Sequence, residues 1–525
     1  MFNKDSRTKN SLKNSIAGLT AQVLTVLFSF VYRICFLRVL NETYLGLNSL
    51  FTNILGVLAL AELGVGTAIA YRLYKTLYDN DAEKTGALIK FYRKIYYIIA
   101  LVVLVIGLSI LPFLKHFIGD YSSLPADINV YLLYLIFLVQ SVASYLFSYK
   151  TVLFTSDQKN YVISFTTVIN TVVVYSLQLA VLYLTENYLY TLITSVVVNV
   201  VSNIVVSIYA QHKYKEVFAS KMRLDKLEKK EIYKETGALL CHRIGGTVVT
   251  STDNILISSF IGVAILGAYS NYALIITALV ALLSQFISAI GASVGNLHVA
   301  DRGREEEIYL NLQFFNLFVV GICAVCFFVL VEPFITVAFG ESLTLGASVA
   351  LVASANFYLS NGRLINNLFI SNCGLFMKDK FRPLIEALVN LVASIVLVQF
   401  LGIVGILAGT IIGVLSTVWW REPYLLYKYE FKKSQKEYWK MQALFFIVSI
   451  LTGVASFFVC SLLPNVWWGV VLKFAICISL SFILFFVATC WTKQSRYFVG
   501  IIKKFLNNIR EKLSTNGKGN DEQGL

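Results

Sequence analysis

The sequence predicts an all-α integral membrane protein of about fourteen transmembrane helices. Three observations carry this. Of 525 residues, 57% are hydrophobic and only 14% charged, against roughly 45–50% and about 25% in soluble domains. Apolar runs of about 20 residues recur from end to end, each long enough to cross a hydrocarbon core of roughly 30 Å as a helix. Runs such as 98–114 and 445–463 are apolar on every side, without the polar stripe of a soluble surface helix.

The spans fall at 15–40, 45–71, 93–114, 128–150, 161–184, 187–210, 235–260, 264–294, 309–331, 346–374, 383–400, 402–426, 441–463 and 467–491. A short loop from His116 to Asp127 separates the third from the fourth. Only Thr185 and Glu186 separate the fifth from the sixth. At the start, MFNKDSRTKNSLKNS is basic and polar, and no small-residue cleavage site follows a short apolar core, so the first helix is expected to be an uncleaved anchor.

Charge sets the orientation. A net charge of +14 suggests nucleic acid in a soluble protein, but here the basic residues lie between apolar runs, and no nucleic-acid partner is expected. With the N-terminus cytoplasmic, the inner segments hold Lys4, Arg7, Lys9 and Lys13, a cluster from Arg72 to Lys94, Lys150 and Lys159, the stretch Lys213 to Lys234, Arg302 and Arg304, Lys378, Lys380 and Arg382, the stretch Arg421 to Lys440, and the tail from Lys493. The outer connections hold only Lys115 and Arg38, at helix ends. This alternation is the positive-inside pattern, and it predicts a multi-pass protein of the cell membrane with both termini cytoplasmic.

Cys35, Cys241, Cys323, Cys326, Cys373, Cys460, Cys477 and Cys490 all fall in or beside apolar segments, so no disulfide framework is expected. The CxxC of Cys323 and Cys326 has no His or second Cys pair in its run and reads as buried small residues rather than a metal or redox site. In the tail, Phe498, Ile501, Ile502, Phe505 and Ile509 recur at helical spacing opposite Lys503, Lys504 and Arg510, the pattern of a helix lying on an anionic leaflet of membrane lipids.

A motif repeats. LRVLNETYLGLNSLF (Leu37 to Phe51) aligns with SSFIGVAILGAYSNY (Ser258 to Tyr272), placing Leu45-Gly46 on Leu266-Gly267; FLGIVGILAG from Phe400 is a third echo. Both full copies begin with a helix entering from the cytoplasm, so the repeat is parallel, as in some transporters. It divides the chain into a six-helix bundle over 1–212, a basic cytoplasmic linker over 213–234, a second six-helix bundle over 235–435, two extra helices over 436–492 and a basic amphipathic tail over 493–525.

Charges and amides within the spans are expensive and therefore informative, at about 2.5–3.5 kcal/mol per central charge on insertion scales. Arg33 lies in the first span, Glu62 in the second, His242, Arg243 and Asp253 in the seventh, Arg363 in the tenth amid Asn356, Asn361, Asn366 and Asn367, Glu386 in the eleventh and Lys473 in the last. Two readings compete. In one, Glu62, Asp253 and Glu386 neutralise the arginines and the amides join helices. In the other, Arg33, Arg243 and Arg363 line a cavity and bind an anion, for which the planar guanidinium offers paired donors. His242 either titrates or bonds a neighbour. Asp253, beside Thr250, Ser251, Thr252 and Asn254, is a cation or proton site or an ion-pair partner.

Longer strings carry a family likeness. YLGLNSLFTNILGVLALAELGVGTAIAYRLYK (Tyr44 to Lys75) with DAEKTGALIKFYRK, TDNILISSFIGVAILGAYSNYALI (Thr252 to Ile275), FRPLIEALVNLVASIVLVQFLGIVGILAGTIIG from Phe381 and WREPYLLYKYEF from Trp420 resemble Gram-positive oligosaccharide flippases of the multidrug, oligosaccharidyl-lipid and polysaccharide exporter superfamily. The resemblance implies two six-helix bundles around a cavity and alternating access. It implies a polyprenyl-pyrophosphate-linked oligosaccharide as substrate, moved outward for capsule, exopolysaccharide or other surface-glycan assembly, with a polymerase and glycosyltransferases as partners. No cofactor is expected; the membrane potential, Na+ or H+ are the candidate driving forces. The alternative is a cation-coupled multidrug exporter of the same fold. A membrane enzyme is disfavoured by the short outer loops and by the lack of a P-loop, metal cluster or nucleophile motif; a passive scaffold is the remaining class.

Overall fold

The computed structural model describes residues 7–59, 65–300, 302–379, 381–500 and 503, all helical or in short connections, with no strand among them. The order is α1 (Arg7–Val39), α2 (Glu42–Leu58), α3 (Val65–Tyr78), α4 (Ala82–Ile110), α5 (Val130–Ser148), α6 (Val152–Ser156), α7 (Asn160–Thr185), α8 (Tyr188–Lys213), α9 (Lys215–Ala219), α10 (Lys226–Phe260), α11 (Val263–Ala300), α12 (Glu305–Ala338), α13 (Ala347–Asn361), α14 (Leu364–Asn372), α15 (Arg382–Leu401), α16 (Ile403–Gly413), α17 (Arg421–Leu425), α18 (Lys436–Ser461) and α19 (Trp467–Thr489).

Each predicted span has a helical counterpart, and the chain is a multi-pass membrane protein. Among the described residues, eleven stretches are long and apolar enough to cross a bilayer by length and composition. The other three predicted spans differ locally. The second span is divided into α2 and α3, with 60–64 outside the described residues. The seventh, α10, opens on a highly charged segment and carries the polar run Thr250 to Asn254 in its later half. The tenth breaks at Gly362 and Arg363 into α13 and α14.

Local chemistry places several ends. Between α7 and α8 the turn is tight because Glu186 takes a left-handed conformation (φ 51°), and Asn187 caps α8 by accepting from Leu189 N–H. Asn41 caps α2 through Thr43 N–H. Gly402 turns α15 back into α16 at φ +57°. In α16, Gly405, Gly409 and Gly413 form a small-residue stripe against α15: a Cβ on Gly405 would lie 2.3 Å from Leu397 O and one on Gly409 2.2 Å from Ser394 Oγ. Such stripes let membrane helices meet backbone to backbone.

Two compact units are distinguished. The first comprises Met1–Ala289, Ala338–Val352 and Phe376–Val418. In it α1 packs on α7, α7 on α8, α5 on α4 and α8, and α10 on α2 and α15. Lysines gather over aromatic rings where α1 and α7 begin and α8 ends: Lys13 over Tyr161, and Lys213 over Phe154 and Tyr209. The second unit comprises Ile290–Val337, Ala353–Leu375 and Trp419–Leu525. Its interior is aromatic, with Tyr309 against Phe369, Phe431 and Tyr438. Phe498, the first residue of the amphipathic tail pattern, packs on Phe314 and Phe315; Ile501, Ile502, Phe505, Ile509, Lys504 and Arg510 lie outside the described residues.

Candidate functional site

A cavity of about 600 Å³ lies in the first unit, lined by α1, α2, α5, α7, α8 and Leu274 of α11. Each of the five main helices gives it one stripe at helical spacing: Ser29, Tyr32 and Arg33; Asn48, Thr52 and Leu55; Gln140, Ser141 and Ser144; Asn170, Val174 and Gln178 with Thr171 and Tyr175; Tyr188, Leu192, Ser195 and Asn199. Residues at i, i+3, i+4 and i+7 share a face, so apolar helices turn a narrow polar seam inward.

Arg33 is the one charged group of this lining among the described residues. Its Nη1 donates to Ser270 Oγ at 2.6 Å and to Asn271 Oδ1 at 3.3 Å. Ser270 Oγ in turn donates to Gly267 O at 2.6 Å. No carboxylate pairs with Arg33 among the described residues, so the guanidinium is held by neutral acceptors and keeps its charge for the cavity. Tyr32 stacks on Tyr175 at 4.7 Å and 14°, and Tyr175 OH shares a hydrogen bond with Ser29 Oγ at 3.1 Å. Asn170 Nδ2 donates to Asn199 Oδ1 at 2.8 Å, and Asn199 Nδ2 to Ser195 Oγ at 3.2 Å.

A second polar group sits where α10, α15 and α16 meet. Thr410 Oγ1 donates to Asp253 Oδ2 at 2.6 Å, while Asn390 Nδ2 lies 2.9 Å from Thr410 Oγ1 and 3.4 Å from Asp253 Oδ1. The glycine stripe of α16 makes this possible by bringing Thr410 up to Asn390. Among the described residues no cation pairs with Asp253, and there Asn390 Oδ1 is buried without a partner.

Arg363 is placed otherwise, in the second unit. Its Nη1 meets Glu422 Oε1 at 2.6 Å, and the Glu422 side chain is wholly buried. The amides around it serve the break between α13 and α14. Asn316 Nδ2 donates to the carbonyl of Asn361 at 3.0 Å, and Gln313 Nε2 to that of Gly362 at 2.6 Å. Interrupted helices inside membranes need such partners for their freed carbonyls. Asn366 accepts from Tyr309 OH at 2.8 Å and donates to Tyr438 OH at 3.1 Å. Asn356 and Asn367 are half-buried on the two flanking helices. Glu386 faces Arg382 at 3.9 Å, and Arg382 is also bridged to Asp379 at 2.5 Å.

Glu62 lies outside the described residues, and the side chains of His242 and Arg243 lie outside the described part of α10. The cavity amides Asn48, Gln140, Asn170, Gln178 and Asn199 carry no charge, so a search for buried charges passes over them. Their signal in the sequence is polar residues repeating at helical spacing within apolar spans.

Residues 11–291 match the model of a family described as polysaccharide biosynthesis protein. No curated protein matches by sequence. Among solved structures, the lipid II flippase MurJ in an inward closed conformation is similar over 93% of this chain and 99% of that one, at 15% identity and a TM-score of 0.64. An inward-facing MATE multidrug resistance transporter of the MOP superfamily is similar over 77% and 95%, at 14% identity and a TM-score of 0.57. A mutant of the Vibrio cholerae MATE transporter VcmN is similar over 82% and 98%, at 12% identity and a TM-score of 0.56. At these identities the likeness is one of fold.

Proposed function

Because this chain belongs to the polysaccharide biosynthesis protein family, we propose that it is a flippase rather than an enzyme, moving a polyprenyl-pyrophosphate-linked oligosaccharide from the inner to the outer leaflet by alternating access. The observation that carries the reading is Arg33, a guanidinium on a polar intramembrane cavity with no carboxylate beside it among the described residues. An uncompensated charge in the membrane costs several kcal/mol, and an anionic ligand offsets that cost when it arrives. Pyrophosphate suits the site because the planar fork gives paired donors.

The two six-helix bundles, 1–212 and 235–435, would move against each other. The prenyl chain would trail into lipid while the sugars occupy the cavity. With both termini cytoplasmic, the carrier's roughly two negative charges move outward across a negative-inside potential. That favours export by about 4–5 kcal/mol per 100 mV. Asp253, Thr410 and Asn390 supply hard oxygen atoms of the kind that bind unpolarisable cations, which supports ion coupling through Na+ or H+. A polymerase and glycosyltransferases would act on either side of the flip. Export of cationic drugs is less well served, since the described lining of the cavity carries an arginine and no carboxylate.

Reconstituted vesicles with labelled polyprenyl-pyrophosphate oligosaccharide test the proposal. Arg33→Ala, alone and with Arg243→Ala, is expected to abolish most of the flipping, and unchanged flipping in both would sink it.

A further inference from the structure

Phosphate chemistry accounts for Arg33 and leaves most of the cavity unexplained. The remaining lining is uncharged and mixed: amides from α2, α5, α7 and α8 with hydroxyls beside them, interleaved with apolar residues such as Leu55, Val174 and Leu192. The amides and hydroxyls of this wall offer nothing to a prenyl chain, and a pyrophosphate seeks cations. Two of its groups are also incompletely bonded. Asn170 spends Nδ2 on Asn199, and its Oδ1 is buried without a partner among the described residues. Tyr188 is 4% exposed, and its hydroxyl has no partner among the described residues. Buried polar atoms are normally satisfied, so these two are poised for a ligand that brings both donors and acceptors. Tyr32 and Tyr175, stacked in parallel on the same cavity, add an aromatic surface of the kind that packs against the C–H face of a pyranose.

We propose that Tyr188, Asn170 and Asn199 form a saccharide subsite that binds the sugar of the lipid-linked substrate through its neutral hydroxyl and acetamido groups. The proposal rests on the flippase reading above and adds to it a division of labour: Arg33 holds the pyrophosphate, and the α7–α8 wall reads the sugar. Tyr188 closes the start of α8 and Asn199 lies three turns along it, so the subsite follows one helix face for about 16 Å at 1.5 Å per residue.

The test measures binding of two probes to the full chain in nanodiscs: polyprenyl pyrophosphate without sugar, and polyprenyl pyrophosphate carrying N,N′-diacetylchitobiose. Wild type is expected to bind the glycosylated probe more tightly. Tyr188→Phe removes one oxygen and leaves the packed ring, so it keeps the fold. It should weaken the glycosylated probe by roughly three- to tenfold, the equivalent of one neutral hydrogen bond, and leave the bare probe unchanged. Asn170→Ala with Asn199→Ala should do the same to a greater degree. Arg33→Ala should weaken both probes together. A wild-type ratio of one, or a ratio these substitutions leave unchanged, overturns the subsite even if Arg33→Ala weakens both. Insensitivity of the bare probe to Arg33→Ala counts instead against the flippase reading.

Discussion

Gly46 and Gly267 occupy matching places in the two copies of the repeated motif, and each is pressed against the backbone beside the other. A Cβ on Gly46 would lie 1.9 Å from the carbonyl oxygen of Val263; one on Gly267 would lie 1.9 Å from that of Glu42 and 3.1 Å from Gly46 N. The starts of α2 and α11 therefore cross at van der Waals contact of their main chains. Gly119, whose N–H donates to Ser258 O at 2.9 Å, ties the neighbouring loop to the end of α10. With the orientation proposed from the loop charges, this is the outer end of the cavity. An outward opening that separates α2 from α11 would part these glycines.

Alanine at either glycine is accordingly predicted to prevent this closed packing. Overpacking commonly costs about 1–3 kcal/mol, and a backbone oxygen has less room to yield than a side chain. Gly46→Ala and Gly267→Ala should each lower the thermal midpoint. Each should also raise labelling of a cysteine placed at Asn48 by an impermeant thiol reagent added outside. Wild-type labelling in both variants would show that this contact is not a gate.

Arg33 reaches the same contact through Ser270, whose hydroxyl bonds the carbonyl of Gly267. Ser270→Ala should free the guanidinium to turn. Carrier binding is then predicted to weaken several-fold while Arg33 itself remains. Arg33→Lys keeps the charge and loses the fork, so it should retain part of the binding that Arg33→Ala abolishes. Equal losses for Arg33→Lys and Arg33→Ala in a binding titration would assign the role to geometry alone.

Asp253 is predicted to carry any cation dependence. A cation that binds only the folded state stabilises it by RT ln(1 + [L]/Kd). Raising Na+ at constant ionic strength should lift the thermal midpoint of wild type, and Asp253→Asn or Thr410→Val should abolish the increment. If protons couple instead, the increment follows pH rather than Na+ and still disappears in Asp253→Asn.

What the sequence discloses divides along physical lines. Hydropathy is local, so the apolar runs locate the helices, and even the two-residue separation of the fifth and sixth spans resolves into the left-handed turn at Glu186. Partners are not local. Arg363 meets Glu422 across 59 residues, and Glu422 lies in an apolar run whose one acid gives no sign of its target. The asparagines around Arg363 read equally as a cavity lining or as helix joints. Asn366 turns out to join helices through Tyr309 and Tyr438, while Gln313 and Asn316, which cap the carbonyls at Gly362 and Asn361, sit on another helix. The amides of α7 and α8 were legible in principle, since Asn170 and Gln178 recur on one face, but neutral residues give a weaker signal than charges.

The Arg363–Glu422 pair yields a prediction that separates structure from transport. Its acid is wholly buried and its arginine largely so. Removing one partner of a buried pair leaves an uncompensated charge and costs about 3–5 kcal/mol, whereas replacing both with apolar residues of similar volume is often neutral. Glu422→Gln and Arg363→Met should each lower the thermal midpoint in detergent sharply, and Arg363→Met with Glu422→Leu should recover most of the loss. If the double variant is stable and flips substrate at the wild-type rate, Arg363 serves the break between α13 and α14. If it is stable and inactive, Arg363 takes part in moving the carrier, and the anion path extends beyond the cavity around Arg33.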